Sequence, residues 1–171
     1  MPLTLARFTH HVEQLHNAAQ TAHREIGIAQ PVLMLLPDTG QPVRIVLPFG
    51  TPQTSAGRAE LKRRAREIGT RAAALTGESW VIVPSIRAEQ LPNMPLADIP
   101  RPAEADPEAR REAVATSAWW PTAPDGPLSV QRVTFIDRTA FGPVFTDSPY
   151  DQMVHSPGGG GIAAFLVDLL T

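Results

Sequence analysis

The first 26 residues alternate apolar and polar side chains with the period of an α-helix. Apolar positions recur at steps of three and four, which places them on one helical face. Thr4 can cap the first turn with its hydroxyl, and Gly27 can end the helix in a left-handed conformation. The pattern predicts a helix packed along its length on a sheet or on another helix, a second copy included. Its apolar positions are Leu5, Phe8, Val12, Leu15, Ala19, Ala22 and Ile26.

Two short apolar segments that follow have the pattern of strands. Residues 31–36 form a continuous apolar run, which is typical of a strand covered on both faces. Residues 43–49 alternate apolar and less buried positions, which is typical of a half-covered strand. Residues 37–40 between them, Pro-Asp-Thr-Gly, have the composition of a tight turn. The two segments therefore predict a β-hairpin.

Residues 56–85 predict one long amphipathic helix that turns back onto a buried strand. Gly77 follows the last helically spaced residue and is a suitable helix stop. Residues 80–83 then form a short apolar run, as expected of a strand in the core. The apolar positions of this helix are Leu61, Ala65, Ile68, Ala72 and Leu75.

Prolines become dense after this strand, and regular patterns return only later. Residues 87–111 predict an irregular, proline-rich excursion. Residues 112–120, 128–137 and 142–146 then predict three strands that form a meander. The fold predicted for residues 1–150 is a single α+β domain. Its mostly antiparallel sheet has about five to six strands, the hairpin plus the meander, packed by two long helices.

The C-terminal segment, residues 151–171, differs from the rest of the chain. Four consecutive glycines at 158–161 form a hinge, because no side chain restrains their backbone. Residues 162–170 contain one charge in nine positions. A terminus this apolar is expected to dock, either on its own domain or on a neighbour, and we expect a neighbouring subunit to supply the groove.

The element order resembles that of known small domains. Helix, hairpin, helix, strand, meander and C-terminal helix follow one another as in roadblock and longin-type domains. Those are small α+β proteins that mostly act as dimerising adaptors and scaffolds. The resemblance covers nearly the whole chain and rests on element order without a shared motif, while the proline-rich excursion departs from the family pattern. It implies self-association, although fold alone does not determine function.

Composition narrows the function classes. The net charge of −2 argues against a dedicated nucleic-acid binder, which usually carries a basic excess. The absence of cysteine excludes disulfides, thiolate metal sites and cysteine nucleophiles. No basic cluster precedes a long apolar run near the start, and no apolar run approaches the ~20 residues of a membrane span. We expect a cytoplasmic or particle-associated protein that is neither secreted through a signal peptide nor transmembrane.

Histidines on the first helix suggest a metal site, but the set is incomplete. Glu13 and His16 have the Glu-x-x-His spacing of bundle metal sites, and His23 lies two turns further on. A second carboxylate–histidine motif is missing from the sequence, and these histidines flank the apolar stripe, where solvated residues usually lie. The sequence therefore predicts no metal ligand and no cofactor.

Two other polar groups superficially resemble catalytic motifs. Asp38 with Glu60 and Lys62 matches the Pro-Asp…Glu-x-Lys series of metal-dependent nucleases. Residues two apart diverge on a helix, however, so Glu60 and Lys62 could not reach one metal there. Asp151 and His155 lie near a serine without a nucleophile elbow around it. We therefore predict no catalytic residue.

Residues 58–71 form a basic helix segment. Glu60 precedes Arg64 by four residues and Arg63 precedes Glu67 by four, spacings that favour ion pairs on a solvated helix face. Contact with an anion or nucleic acid is the alternative interpretation. The residues available for it are Arg58, Lys62, Arg63 and Arg66.

The sequence favours a non-enzymatic structural or interaction protein over an enzyme. Its partners are expected to be copies of itself or a larger assembly, for which a virion or particle is one setting, and neither a membrane nor a small-molecule substrate. The predicted interface residues are Leu5, Phe8, Val12, Leu15, Trp119, Trp120, Ile162, Phe165, Leu166 and Leu169. One alternative is a small enzyme or ligand-binding domain with a site assembled from Arg132, Asp137, Arg138, Asp147 and His155 of the meander. The other is a nucleic-acid accessory protein that uses the basic helix.

Overall fold

The structure is a computed structural model of the 171-residue chain, and it describes residues 2–48, 54–82, 110–149, 151–155 and 161–171. These residues form three helices and a seven-stranded antiparallel sheet, so the predicted α+β class is confirmed. In chain order the elements are α1 (Leu5–Ile26), β1 (Val32–Pro37), β2 (Val43–Val46), α2 (Ser55–Ile68), β3 (Thr70–Ile82), β4 (Arg110–Trp120), β5 (Leu128–Thr139), β6 (Gly142–Asp147), β7 (Gln152–Val154) and α3 (Gly161–Leu169).

The sheet has the strand order β2-β1-β3-β4-β5-β6, and β7 pairs with β5 outside this path. The β1–β2 hairpin and the β4–β5–β6 meander are antiparallel, as predicted. Helix α1 packs on one face of the sheet. Helices α2 and α3 pack on the other face. The central strands β3 and β4 are thus covered on both sides.

Helix α1 matches its predicted bounds and caps. The Thr4 hydroxyl accepts a hydrogen bond from the Arg7 backbone N–H at 3.3 Å, and Gly27 ends the helix with φ of 77°. Phe8 and Val12 are fully buried against the sheet. The Phe8 ring lies 5.4 Å from that of Trp120, measured between centroids. The first half of α1 is therefore anchored by apolar packing.

Helix α2 is shorter than the sequence pattern predicts. It ends at Ile68, where Gly69 adopts φ of 67° and its N–H bonds to the carbonyls of Ala65 and Arg66. Strand β3 begins at Thr70, so the predicted continuation of the helix to Leu75 is wrong.

The helical spacing of apolar residues continues into β3 because this strand is buried on both faces. Ala72 contributes to the core under α1, whereas Leu75 contributes to the core under α2 and α3. Side chains three apart on a strand point to opposite faces, so helical spacing can occur in a strand whose two faces are both apolar. Gly77 lies inside β3, and a Cβ there would stand 3.3 Å from the Pro31 Cα. Close packing, and not a helix stop, accounts for this glycine.

The C-terminal helix packs on the chain's own sheet. Phe165, Leu166 and Leu169 are buried in the same cluster as Leu61 of α2 and Trp119 of β4. Outside this cluster, Lys62 Nζ and Asp168 Oδ1 form an ion pair of 2.7 Å between α2 and α3. The apolar terminus is therefore accommodated within one chain, whereas we expected a groove on another subunit.

Some predictions concern parts of the chain that the structure does not describe. The proline-rich excursion over 87–111 lies outside the described residues except for Arg110 and Arg111, which begin β4. Most of the glycine hinge lies outside them as well, and the domain division at residue 150 stays a prediction. In the described part of the chain, no helix is both long enough and apolar enough to cross a membrane.

The packing of α3 predicts that Leu166→Ala lowers the free energy of unfolding by about 2–5 kcal/mol, because the side chain is fully buried. Val46→Ala is the matched control, since Val46 is 59% exposed, and a change within about 0.5 kcal/mol is expected. Denaturant titration followed by circular dichroism measures both. Equal effects of the two variants would contradict docking within one chain.

Candidate metal centre

The second half of α1 places polar side chains against the sheet. His16 and His23 are buried, at 4% and 1% exposure. Alternate residues of a strand point to the same face, so β3, β4 and β5 each present polar residues to this part of the helix. These residues are Thr76 and Glu78 on β3, Glu112 and Thr116 on β4, and Arg132, Thr134 and Arg138 on β5. They form two separate polar groups.

The group near the end of α1 consists of His23, Glu78 and Glu112, here called the His23 cluster. His23 Nε2 lies 3.5 Å from Glu78 Oε2 and 3.8 Å from Glu112 Oε1. One donor atom from each residue lies within 4.8 Å of the other two. Neither ring nitrogen of His23 has a hydrogen-bond partner among the described residues. The buried imidazole therefore faces two carboxylates without a hydrogen bond to either.

Backbone geometry sets this arrangement. Glu78 is paired with Val114 and Glu112 with Trp80, so the two glutamates are diagonal neighbours on β3 and β4. Backbone groups of Ala29, in the segment after α1, also hold Glu78 in place. The Ala29 N–H donates to Glu78 Oε2 at 3.4 Å, and the Glu78 N–H donates to the Ala29 carbonyl at 3.1 Å. The segment after α1 thus holds this carboxylate beside the last helical turn.

Arg138 supplies the positive charge at the cluster. Its Nε donates to Glu112 Oε2 at 2.7 Å and its Nη2 donates to Glu112 Oε1. The same Nη2 lies 3.9 Å from Glu78 Oε1. These hydrogen bonds hold the pKa of Glu112 below its usual range, whereas burial raises the pKa of Glu78. The two carboxylates therefore differ in how strongly they hold a proton.

Apolar groups cover the other sides of His23. The Phe145 ring stands edge-on to the imidazole, with 5.5 Å between centroids and an interplanar angle of 84°. Arg24 lies over that phenyl ring at 4.4 Å. Ala19, Val114 and Ile136 form an adjoining apolar cluster. Water is thus excluded from most of the imidazole.

The donor spacing fits a coordination shell better than a hydrogen bond. An N–H···O hydrogen bond spans about 2.7–3.2 Å, less than either distance from His23 Nε2. A tetrahedral ion with bonds of about 2.0–2.2 Å places its ligand atoms about 3.3–3.6 Å apart. The distances of 3.5 and 3.8 Å are close to this edge length. Imidazole with carboxylates is a donor set that suits Zn²⁺ and related divalent transition metals.

The second polar group surrounds His16 and is internally satisfied. The His16 Nδ1 lies 2.9 Å from the Thr116 hydroxyl, and Nε2 lies 2.9 Å from the Thr134 hydroxyl. Thr116 in turn bonds to Thr76 at 2.6 Å, and Gln20 donates to Thr134 at 3.1 Å. Burial lowers the pKa of His16. Both ring nitrogens have partners, so this histidine is a structural contact and not a free ligand.

Most of the predicted interface residues lie inside this chain. Leu5 is 45% exposed, and Ile162 is half-buried at the margin of the core under α3. The others contribute to the two faces of the core: Phe8, Val12, Leu15, Trp119, Trp120, Phe165, Leu166 and Leu169. Trp119 and Trp120 point to opposite faces, as expected for neighbours on a strand.

The basic helix is partly neutralised by ion pairs. Arg63 bonds to Glu60 at 2.7 Å and also contacts Glu67. Hydrogen bonds from Arg63 and Arg64 lower the pKa of Glu60 to about 2. Lys62 contacts Asp168 of α3, while Arg58 and Arg66 are exposed. The predicted intrahelical pairs are thus present.

The polar residues of the meander are distributed over both faces of the sheet. Arg132 contacts Glu13 of α1 at 2.6 Å, and Arg138 contacts Glu112. These two arginines are six positions apart on β5, about 20 Å along a strand. Asp137 points to the opposite face, where Arg111 binds it at 2.6 Å. The proposed set of Arg132, Asp137, Arg138, Asp147 and His155 is not brought together in one site.

His23 is recognisable in the sequence as a possible ligand, but its two carboxylate neighbours are not. Glu78 and Glu112 are far apart in sequence, and only the register between β3 and β4 makes them neighbours. The available signal is a glutamate at the start of a predicted strand whose next residues are apolar, in the run Glu-Ala-Val-Ala. A charge in such a strand needs a partner, but its identity depends on the strand pairing.

Comparisons of the chain with protein-family models, with curated proteins and with solved structures find no match. The resemblance to roadblock and longin-type domains therefore stays a prediction that rests on element order.

The lowered pKa of His16 predicts an acid-sensitive contribution to stability. The folded-state pKa lies below the unfolded value near 6.5, so the unfolded state binds the proton more readily. This contribution is present above about pH 6.5 and is lost as the pH falls towards the folded-state pKa. The free energy of unfolding of the wild type should fall relative to that of His16→Gln between about pH 7.5 and pH 5. A constant difference between the two chains would contradict burial of a neutral His16.

Proposed function

We propose that this chain is a non-enzymatic, metal-binding protein in which a divalent transition-metal ion joins α1 to strands β3 and β4. The single observation that carries the proposal is the buried His23 ring, whose nitrogens have no hydrogen-bond partner among the described residues. Its Nε2 lies at coordination-shell spacing from Glu78 Oε2 and Glu112 Oε1.

The three ligands come from three different elements. His23 lies in the last turns of α1, Glu78 on β3 and Glu112 on β4. The unfolded chain does not hold these residues together, so an ion bound by all three stabilises the folded state. The expected role is therefore structural: the ion fixes the end of α1 on the sheet, at a place where apolar packing gives way to polar side chains.

The donor types favour Zn²⁺ over the hard cations. Ca²⁺ and Mg²⁺ prefer shells made of oxygen alone, whereas an imidazole nitrogen favours Zn²⁺ and neighbouring transition metals. Three protein ligands leave a fourth position of a tetrahedral ion for water. Arg138 lies beside both carboxylates with a side chain that is 61% exposed.

The metal proposal predicts that Zn²⁺ raises the melting temperature of the wild type but not that of His23→Gln. At a free metal concentration 100 times the dissociation constant, the gain is about 2.7 kcal/mol. Each chain is compared with its own metal-free form, because the substitution also changes stability directly. His10→Gln is the matched control, since His10 lies on the exposed side of the same helix and should leave the response unchanged.

Differential scanning fluorimetry at several Zn²⁺ concentrations measures the melting temperature of each chain. A wild type without a Zn²⁺ response, or an undiminished response in His23→Gln, would overturn the proposal.

Self-association is the second proposed function, and exposed apolar residues near the His23 cluster favour it. Trp80 follows Glu78 by two residues on the same face of β3 and is 57% exposed. Ile26, the last residue of α1, is 68% exposed. Tryptophan is a frequent interface anchor because it removes a large area from water. We propose a second copy of the chain as the partner, either as an adaptor-like dimer or within a larger particle.

Self-association predicts a concentration-dependent mass that Trp80→Ser shifts towards the monomer. Val46→Ser is the control, because Val46 is similarly exposed, at 59%, but lies on the edge strand β2, which β1 separates from β3. Light scattering coupled to size exclusion measures the mass. A wild type that stays monomeric up to high micromolar concentration, or equal effects of both variants, would contradict this surface.

A further inference from the structure

We infer that Arg138 is a built-in competitor of the metal: it occupies the carboxylate oxygens that the ion needs, and it must swing away before the ion can bind. The inference rests on the proposed metal function and adds the residue that sets the affinity of the site. It makes Arg138 a regulator of binding and not a ligand.

The contacts place the guanidinium and the metal on the same atom. Glu112 Oε1, the oxygen that lies 3.8 Å from His23 Nε2, accepts a hydrogen bond from Arg138 Nη2. The other oxygen of Glu112 accepts from Arg138 Nε at 2.7 Å. Both oxygens of this carboxylate are therefore already engaged. A two-point contact of this kind is among the stronger hydrogen-bond arrangements in proteins.

Electrostatic repulsion also disfavours a metal ion while Arg138 stays at the carboxylates. The guanidinium contacts Glu112 and lies 3.9 Å from a Glu78 oxygen, so it supplies the positive charge beside the two carboxylates. A divalent ion at the same oxygens would place two cations a few ångströms apart, and like charges at that distance repel. Release of Arg138 relieves the repulsion and frees the oxygens.

The position of Arg138 allows this movement. It lies on β5 one residue before the end of the strand, paired with Pro143 at the start of β6. Its side chain is 61% exposed, whereas that of Glu112 is 9% exposed. The arginine can thus move into solvent while the glutamate stays. Replacement of the Arg138 guanidinium by a metal ion therefore needs no change in the sheet.

The test is the affinity of the full chain for Zn²⁺ alone, measured by isothermal titration calorimetry. Arg138→Gln is expected to bind Zn²⁺ at least tenfold more tightly than the wild type. Arg111→Gln is the matched control, because it removes the same charge and also frees a strand carboxylate, Asp137, on the opposite face. Its affinity should stay within about threefold of the wild type. A merely structural Arg138 predicts the reverse, since its loss would loosen the cluster and weaken binding.

The outcomes separate this inference from the proposed function. If the wild type binds Zn²⁺ through His23 and Arg138→Gln binds equally or more weakly, competition is wrong and the metal site stands. If Arg138→Gln is folded and neither it nor the wild type binds, both are wrong. Tighter binding in Arg138→Gln that His23→Gln abolishes supports both.

Arg138→Lys covers the case in which Arg138→Gln does not fold. Lysine keeps the charge but loses the two-point contact, so its affinity should exceed that of the wild type by a smaller factor. An affinity equal to that of the wild type would overturn the competition.

Discussion

Both faces of the central strands must be covered, and this requirement determines most of the structure. Helix α1 has 22 residues, which corresponds to about 33 Å. Phe8, Val12 and Leu15, in the first half of the helix, pack in an apolar core with side chains of the sheet. Because the helix continues beyond that core, its later turns lie over polar positions of β3, β4 and β5. The His23 cluster forms where α1 extends beyond the apolar core around Phe8, Val12 and Leu15.

The two buried histidines of α1 show two ways of meeting the need for polar partners. His16 bonds to two threonine hydroxyls, which are neutral and can donate or accept. His23 faces two carboxylates at distances that exceed a hydrogen bond. Ala19, Val114 and Ile136 lie in the apolar cluster between these groups. The first arrangement stabilises the core as it stands, whereas the second is suited to an added cation.

The parts of the fold that the sequence predicted are those determined by local chemistry. Thr4 and Gly27 bound α1 as expected, because capping depends on neighbouring residues. The hairpin and the meander followed from alternation and turn composition. The end of α2 was missed, because Ala72 and Leu75 pack on opposite faces of a strand that is apolar on both sides. The apolar composition of the C-terminal segment indicates that it is buried, but it does not determine which surface covers it.

The candidate site was beyond local prediction, because it depends on strand register. His23 was recognisable as a possible ligand, while Glu78 and Glu112 become its neighbours only through the pairing of β3 with β4. The most direct test of the central claim is NMR of the histidine ring nitrogens in the ¹⁵N-labelled chain during titration with Zn²⁺. We expect the Nε2 signal of one histidine, absent in His23→Gln, to shift and saturate at one ion per chain. If only the signals of exposed histidines respond and the ring of His23 is unaffected, the claim is contradicted.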